Sequence, residues 1–262
     1  MASVLNLSPR MEAIVNLCDN VKTIADIGCD HGYITAELIL QEKAEKIIAT
    51  DISEKSLNKA IRLCDAMNIA CFVSFREGDG FNVVTKRDRV QLAVIAGMGG
   101  REIMNIMLNA PKKLNTFVLQ PQSDVILLRQ FLINNGFTFL VDQLVKEGGR
   151  YYTVMKVTKA KKPQQLSDIE IYFGFTNFRE NYQVFYEYLV ERYLFLEKFK
   201  SKFGELNKKN EEEWYFVNEA LGLFGINGEQ LLKPESEDEI TQEDENLFEE
   251  ENNNAENNAD NE

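Results

Sequence analysis

The sequence predicts an α/β fold, in which a largely parallel β-sheet is covered by helices on both faces and is followed by a separate helical domain. Short, continuously apolar runs of strand length alternate with segments whose apolar residues recur every three or four positions. Glycine-rich or acidic loops follow several of these apolar runs. Beyond residues 159–163 the pattern changes to long helices, which predicts the second domain.

The amino-terminal part predicts a strand–helix–strand unit. Residues 21–27 form a short buried strand, and residues 34–40 begin a helical pattern. Residues 46–51 form a second apolar strand, which ends on the carboxylate of Asp51. A glycine-containing loop between a strand and a helix, followed by a strand that ends in an acid, is typical of a unit that binds a nucleoside-containing cofactor.

The alternation continues to residue 158. We expect strands at residues 72–76, 90–96 and 116–120, and helices at residues 54–67, 101–108 and 124–134. Residues 137–146 and 151–158 predict two further strands, joined by a turn at residues 147–150. This closing hairpin indicates an antiparallel strand at the far edge of the sheet.

The second domain predicts a helical hairpin. A seam of apolar residues at three- and four-residue steps is typical of a coiled coil, and Arg192 interrupts it. Its members are Tyr182, Phe185, Leu189, Leu196, Phe199, Phe203 and Leu206. Residues 211–224 predict a returning helix. The predicted domains are therefore residues 1–160, residues 161–230 and a tail, residues 231–262.

The net charge of −13 is carried by the tail. Residues 1–160 contain 19 Lys and Arg against 17 Asp and Glu, and residues 161–233 contain 10 against 12. Residues 234–262 contain 13 acidic residues and neither Lys nor Arg. We expect this tail to be disordered, and it either keeps the protein soluble or competes with a polyanion for a basic surface.

Composition favours a cytoplasmic enzyme. No apolar run reaches the roughly 18 residues that a transmembrane helix needs, and the first residues lack the charged start and long apolar run of a signal peptide. The four cysteines, Cys18, Cys29, Cys64 and Cys71, fit no zinc-binding spacing and are expected to be free thiols. We therefore expect neither a metal nor a membrane as a partner.

Five candidate site segments fall at the ends of predicted strands, namely residues 28–32, Asp51, residues 78–80, residues 97–100 and residues 120–122. Ligands of open α/β sheets bind outside the carboxyl ends of the strands, where these segments would meet. The expected cofactor-binding residues are Asp26, Gly28, Cys29, Gly32, Asp51, Ile52, Gly78, Asp79, Gly80, Ala96 and Gly97. Cys29 is expected only to shape its loop.

The acids of the first loop favour S-adenosylmethionine over a nicotinamide dinucleotide. A pyrophosphate prefers electropositive surroundings, so Asp26 and Asp30 would be poorly placed beside one. S-adenosylmethionine carries an ammonium and a sulfonium group, which nearby carboxylates stabilise. We expect Asp51 to bind the ribose hydroxyls. Asp79 either accepts from the adenine amine or is only a turn residue between two glycines.

Five segments together resemble the bacterial TrmK family, the tRNA (adenine(22)-N(1))-methyltransferases. They are Ala25-Asp-Ile-Gly-Cys-Asp-His-Gly-Tyr33, Gly78-Asp-Gly80, Ile95-Ala-Gly-Met-Gly-Gly100, Leu119-Gln-Pro121 and Glu147-Gly-Gly-Arg-Tyr-Tyr152. The resemblance covers residues 1–225. It implies a Rossmann-like class I methyltransferase domain, a coiled-coil-like helical domain, S-adenosylmethionine as cofactor and tRNA as partner. Asp30 replaces the middle glycine of the general methyltransferase loop. The TrmK family tolerates an acidic residue at that position.

The expected chemistry is an in-line displacement, because the lone pair of adenine N1 can attack a sulfonium methyl without a strong base. Alignment should then supply much of the rate. A carboxylate near the base would stabilise the cationic product, and Asp30 is the candidate, with His31 as the alternative. Met98 could pack against the target ring. Tyr33 either stacks on a base or is the first core residue of its helix.

Binding of tRNA requires cationic surface. Basic residues cluster at Arg10, Lys86-Arg-Asp-Arg89, Lys112-Lys113, Arg129, Arg150 and residues 159–162. The residues expected to contact tRNA are Tyr33, Arg10, Gly99, Gly100, Arg101, Gln120 and Arg150. The segment at residues 97–100 is interpreted as an approach to the target base or as a tight strand-to-helix turn, and both interpretations can hold together, because such a turn allows close approach. The base must leave the tRNA fold for its N1 edge to be reached.

Two other functions fit the same residues. The fold could methylate a small molecule or a protein, because fold does not fix substrate. The chain could also be a non-catalytic nucleotide-binding adaptor that uses its helices to bind partners. A monomer is favoured, although the sequence does not determine the oligomeric state.

Overall fold

The computed structural model describes residues 5–162 and 164–231. The chain divides into two compact units, Met1–Val184 and Phe185–Glu262. The predicted acidic tail, apart from its first residue, lies outside the described residues. Among the described helices, none has both the length and the apolar character needed to cross a membrane.

The first unit contains a seven-stranded mixed sheet with the order β3-β2-β1-β4-β5-β7-β6. Its strands are β1 (Val21–Ile27), β2 (Ala44–Asp51), β3 (Val73–Glu77), β4 (Leu92–Met98), β5 (Thr116–Pro121), β6 (Phe137–Glu147) and β7 (Arg150–Lys159). Strands β1 to β5 are parallel. The predicted parallel sheet is therefore confirmed.

The sequence predicted an antiparallel strand at the far edge of the sheet, and this prediction is wrong. Strand β7 is inserted between β5 and β6 and runs antiparallel to both. Val154, Met155 and Val157 of β7 have no exposed surface, whereas Leu140 of β6 is 49% exposed. Strand β7 therefore occupies the interior position, where neighbouring residues that point to opposite faces, Val154 and Met155, are both covered.

Helices cover both faces of this sheet. They are α1 (Pro9–Leu17), α2 (Tyr33–Leu40), α3 (Glu54–Ala66), α4 (Gly100–Leu108), α5 (Val125–Asn134) and α6 (Asp168–Phe173). Helices α1, α2 and α3 bury residues in one hydrophobic core, and α4 and α5 bury residues in the other. Successive strand residues alternate between the cores, as Ile24 and Ala25 do. Helices α1 and α6 were not predicted.

The first unit extends beyond residue 160 because the next segment covers the outer edge of β6. Backbone N–H groups of Phe139, Asp142 and Leu144 donate to the side chains of Gln164, Thr176 and Asn177, respectively. These side chains satisfy donors that an edge strand would otherwise leave open.

A buried ion pair ties the same segment to helix α5. The guanidinium of Arg129, on α5, lies 2.7 Å from the carboxylate of Asp142, on β6, and both side chains are almost fully buried. Arg129 also donates to the carbonyl oxygens of Ile171 and Tyr172. Arg129 is therefore a structural residue, and the expectation that it forms part of a cationic surface is wrong.

The second unit contains a helical hairpin of α7 (Tyr182–Phe203), from Phe185 onwards, and α8 (Lys208–Leu223). The buried residues of α7 are Phe185, Leu189, Tyr193, Leu196 and Phe199. Tyr193 therefore fills the gap that Arg192 leaves in the predicted seam, and its ring stacks on Trp214. Arg192 pairs instead with Glu213 of α8 at 2.6 Å. Tyr182 and Phe203, expected in the seam, are mostly exposed.

Candidate active site

A cavity of about 490 Å³ opens at the carboxyl ends of β1, β2, β4 and β5. Strand order reverses between β1 and β4, so the cavity lies at the point where α/β sheets commonly bind ligands. Every residue expected to bind cofactor or take part in catalysis lines it, namely Asp26, Gly28, Cys29, Asp30, His31, Gly32, Asp51, Ile52, Gly78, Asp79, Gly80, Ala96, Gly97 and Met98.

Some of the residues expected to contact tRNA line the cavity and others lie outside it. Arg10, Tyr33 and Gln120 line the cavity, whereas Gly99, Gly100, Arg101 and Arg150 are not among its lining residues. Gly100 begins α4 and packs so closely that an added Cβ would lie 2.6 Å from the carbonyl oxygen of Asp124. Arg150 is exposed at the start of β7.

Helix α1 supplies part of the cavity wall that sequence reasoning missed, through Met11 and Ile14. The signal for this helix was present in the sequence. Ser8 accepts a hydrogen bond from the backbone N–H of Met11, and Pro9 occupies the first helical position. The other lining residues that were not predicted are Ile27, Ile34, Glu102 and Ile106, whereas Gln122 belongs to the predicted segment 120–122.

The glycines of the first loop allow three parts of the cavity wall to meet. Gly28 and Gly32 have positive φ values of 72° and 76°. A Cβ on Gly28 would collide with the terminal methyl of Met98, and one on Gly32 would lie 2.7 Å from Cβ of Ala60 on α3. The backbone N–H groups of Gly28 and Cys29 both donate to the carbonyl oxygen of Thr50. The loop is therefore fixed against β2, α3 and the last residue of β4.

Asp26 is a buried acid at the cavity floor. Its carboxylate accepts a 2.5 Å hydrogen bond from the Thr35 hydroxyl, and the residue is 3% exposed. Burial raises the pKa of Asp26 to about 6; the charge of Asp51 adds to this effect, and the Thr35 hydrogen bond opposes it. A cation bound nearby would stabilise the ionised form of Asp26.

Asp51 is oriented by two backbone donors at the end of β2. One carboxylate oxygen accepts from the N–H of Asp30 at 3.0 Å and the other from the N–H of Ser53 at 2.8 Å. A carboxylate oxygen can accept more than one hydrogen bond, so each can also receive a hydroxyl of a vicinal diol. The neighbouring Ile52 is 73% exposed and offers an apolar surface at the same wall.

Asp30, His31 and Tyr33 form the outer rim of the first loop. The His31 Nε2 lies 2.6 Å from the Lys59 ammonium, and its Nδ1 lies 3.6 Å from a carboxylate oxygen of Asp30. Because an ammonium only donates, Nε2 is the acceptor and the ring proton lies on Nδ1, towards Asp30. Tyr33 is 43% exposed, so it is not a core residue of α2, and stacking on a base remains its predicted role.

A β-bulge shapes the wall opposite this loop. The register of β4 against β5 shifts between Ala96 and Met98, which leaves Gly97 outside the ladder. The Gly97 N–H donates instead to Oε1 of Gln120, at 3.2 Å. Helix α4 begins at Gly100, so this segment is both a tight strand-to-helix turn and a wall of the cavity.

The cysteines supply no activated nucleophile. All four are free thiols, as predicted. Cys29 is the cysteine in the cavity wall, and burial, together with the nearby carboxylates, raises the pKa of its thiol well above its usual value. In the described part of the chain, no three His, Cys, Asp or Glu side chains are grouped as metal ligands.

Three of the predicted basic clusters have residues at the opposite end of the sheet from the cavity. Lys86, Arg87 and Arg89 precede the first residue of β4, and Lys112 and Lys113 precede β5. Lys159 ends the antiparallel β7, and its N–H donates to Asn115, beside the start of β5. The structure therefore separates these cations from the candidate site.

The chain matches the model of the TrmK family, tRNA (adenine(22)-N(1))-methyltransferase, over residues 24–222. It is 37% identical over 169 residues to the Mycoplasma pneumoniae protein named "Putative tRNA methyltransferase", a match that covers 63% of this chain and 78% of that one. It is 30% identical over 154 residues to the tRNA (adenine(22)-N(1))-methyltransferase of Bacillus subtilis, covering 58% of this chain and 64% of that one.

Two solved structures share the fold. TrmK of M. capricolum, in complex with S-adenosyl-homocysteine, superimposes with a TM-score of 0.73 at 23% identity and covers 83% of this chain and 98% of its own. Sp1610 of Streptococcus pneumoniae, in complex with S-adenosyl-L-methionine, also gives a TM-score of 0.73, at 24% identity, and covers 82% of this chain and 99% of its own.

Proposed function

The chain belongs to the TrmK family of tRNA (adenine(22)-N(1))-methyltransferases, and from that premise we propose how its own residues bind S-adenosylmethionine and direct its methyl group to adenine N1. One observation carries the proposal: the acidic glycine loop, Asp51 and the bulge at Gly97 line a single cavity. The alternatives of a small-molecule or protein methyltransferase and of a non-catalytic adaptor do not fit membership of this family.

The cavity suits a cationic nucleoside cofactor. When bound, S-adenosylmethionine supplies a methyl group on a positively charged sulfur. Asp51 accepts from the two ribose hydroxyls, because its carboxylate is already oriented by the N–H groups of Asp30 and Ser53. Asp79 accepts from the adenine amine, and Ile52 covers one face of that ring. Asp26, buried beneath the loop, stabilises the ammonium group.

The target adenine enters between the rim of the first loop and the segment after β4. Tyr33 stacks on it from the rim, and Met98 packs against it from the bulge. Neither side chain needs to remove a proton, because N1 attacks through its own lone pair. Asp30 accepts from the adenine N6 amine and stabilises the positive charge that develops on the ring. His31, whose Nδ1 proton faces Asp30, orients that carboxylate.

The exposed arginines bind tRNA outside the cavity. Arg101 and Arg150 contact phosphates around the displaced nucleotide, with close backbone approach at Gly99 and Gly100. We propose that the protein acts as a monomer in the cytoplasm, with residues 1–160 supplying the methyl-transfer site and residues 161–230 a further tRNA contact.

Methylation of matched tRNA transcripts tests this function. The full chain is incubated with labelled S-adenosylmethionine and a transcript that carries adenine at position 22, or the same transcript with guanine there. The proposal expects label only in the adenine transcript, and primer extension should stop at position 22, because methylated N1 cannot form a Watson–Crick pair. Equal labelling of both transcripts, or label at another adenine, contradicts the proposal.

A further inference from the structure

We propose that Arg10 is a positioning residue for methyl transfer, which acts through Gln120 to hold the bulge at Gly97. The inference rests on the proposed function. The sequence led us to expect Arg10 and Gln120 as tRNA contacts, but the structure engages both in hydrogen bonds within the cavity wall.

The bulge requires a substitute for a lost ladder bond. Ala96 pairs with Gln120 and Met98 with Pro121, so Gly97 has no partner residue on β5. Gly97 is exposed at the cavity wall, and an added Cβ there would meet nothing within 4 Å, so packing does little to hold its backbone. The side-chain oxygen of Gln120 accepts from this N–H at 3.2 Å and so holds the Gly97 backbone, whose φ is +77°.

Arg10 helps to fix which way the Gln120 amide points, together with the Gly97 N–H and the Nε2 of Gln122, which donates to the same oxygen at 3.4 Å. Gln120 is 1% exposed, and its Oε1 also accepts from Nη1 of Arg10 at 3.1 Å. Its Nε2 donates to the carbonyl oxygen of Pro121 at 2.8 Å. Because a guanidinium only donates, a flipped amide would set donor against donor both at Arg10 and at the Gly97 N–H.

Arg10 is itself held from two further directions. Its Nε lies 3.6 Å from a carboxylate oxygen of Glu147, and its guanidinium lies 4.6 Å from the centre of the Tyr152 ring. The other Glu147 oxygen accepts from the Arg10 backbone N–H at 2.9 Å, which anchors the start of α1. The side chain is 19% exposed, so this guanidinium is bound within the protein rather than presented to a phosphate.

The consequence concerns Met98. Its terminal methyl packs where a Cβ on Gly28 would lie, so the bulge sets Met98 against the first loop. Loss of the Arg10 hydrogen bond leaves the Gln120 amide held only by Gly97, Pro121 and Gln122, which weakens its hold on the Gly97 N–H and loosens Met98. Alignment of the reacting atoms depends on this chain of contacts, and a rate measured at saturating cofactor and tRNA reports that alignment separately from either affinity.

The test compares Arg10→Met, Arg10→Lys and Arg150→Met in the full chain. Single-turnover methylation is measured with saturating S-adenosylmethionine and tRNA, and the tRNA Kd is measured over a series of salt concentrations. We expect Arg10→Met to slow single turnover by about tenfold, with the tRNA Kd and its salt dependence unchanged, and Arg10→Lys to restore part of the rate. Arg150→Met should instead weaken tRNA binding and reduce the salt slope by about one.

A double-variant comparison keeps the inference testable if Arg10→Met folds poorly. Gln120→Leu should slow single turnover by itself, and adding Arg10→Lys should then cost little more, because both changes break one contact chain. Three results would overturn the inference. They are a reduced salt slope of tRNA binding for Arg10→Met, an unchanged single-turnover rate for Arg10→Met, and losses of rate in the double variant that equal the sum of those in Gln120→Leu and Arg10→Lys. An inactive wild-type protein would instead contradict the proposed function, so the two failures are distinguishable.

Discussion

The two ends of the parallel sheet carry opposite charges. At the carboxyl end, the cavity is lined by Asp26, Asp30, Asp51 and Asp79, together with five glycines of the neighbouring segments, Gly28, Gly32, Gly78, Gly80 and Gly97. At the amino end, exposed lysines and arginines precede β4 and β5 or end β7, namely Lys86, Arg87, Arg89, Lys112, Lys113 and Lys159.

The difference shows that the basic residues of a sequence can be assigned to RNA binding only when their place in the fold is known. The acids at the carboxyl end suit a cofactor with two cationic groups, although the substrate of the enzyme is a polyanion. The cations that most resemble an RNA-binding surface in the sequence lie at the other end. The tRNA is therefore expected to meet the cavity through its few rim cations and the displaced base.

The largest expected effect at the carboxyl end comes from Asp51→Ala. The change removes both charged acceptors for the ribose hydroxyls, each worth about 1.5–3 kcal/mol, so binding of S-adenosyl-homocysteine should weaken by a hundredfold or more, as calorimetry can measure. Asp79→Ala, at the same wall, is the matched control and should cost less. An unchanged Kd for Asp51→Ala would place the nucleoside elsewhere.

The second effect is a dependence of stability on pH that originates at Asp26. Its native pKa, about 6, exceeds its usual value of 3.8, so the native state holds a proton that the unfolded chain has released. Stability should therefore fall by about 3 kcal/mol as pH rises from about 4 to about 6, and should not recover above it. Urea unfolding without cofactor measures this loss.

Asp26→Asn is the control for that measurement. It removes the titrating group, so its unfolding curves should lack this component and the variant should be more stable than the wild type near neutral pH. Parallel pH profiles for the two proteins would contradict the assignment to Asp26.

The third effect is a slower chemical step in Asp30→Asn. Asparagine tolerates the left-handed backbone at this position, where φ is 45°, and the backbone N–H that holds Asp51 is retained. We expect single-turnover methylation to slow about tenfold, since one stabilising charge is lost, while cofactor affinity stays within twofold. Rapid-quench kinetics with labelled cofactor measures the rate, and unchanged turnover excludes the role proposed for Asp30.

The smallest effect is expected at the amino end. Reversing two charges there, with Lys112→Glu and Lys113→Glu, should change kcat/KM for tRNA by no more than about twofold at physiological salt. Arg150→Glu, at the carboxyl end, reverses one charge and should cost more. Filter binding together with steady-state kinetics compares the two variants. A larger loss at the amino end would mean that tRNA extends to that surface.

Much of the sheet and most of the residues that line the cavity could be predicted from sequence, because glycines and acids at strand ends are local signals. Helix α1 is short and starts the chain, so its Ser8 and Pro9 signal was overlooked, and with it the internal role of Arg10. The place of β7 depends on its pairing with β5, where Met155 pairs with Leu119. The burial of Arg129 depends on its ion pair with Asp142. In both cases the partner is distant in sequence. Periodicity within a short window cannot reveal such partners.

The most direct test uses a tRNA that carries a photoreactive adenine at position 22. After irradiation of its complex with the full chain, mass spectrometry identifies the linked residue. The account predicts links at the carboxyl end of the sheet, on Tyr33 or Met98, and their loss when unmodified tRNA competes. Links confined to residues 86–89 or 112–113, at the amino end, would contradict it.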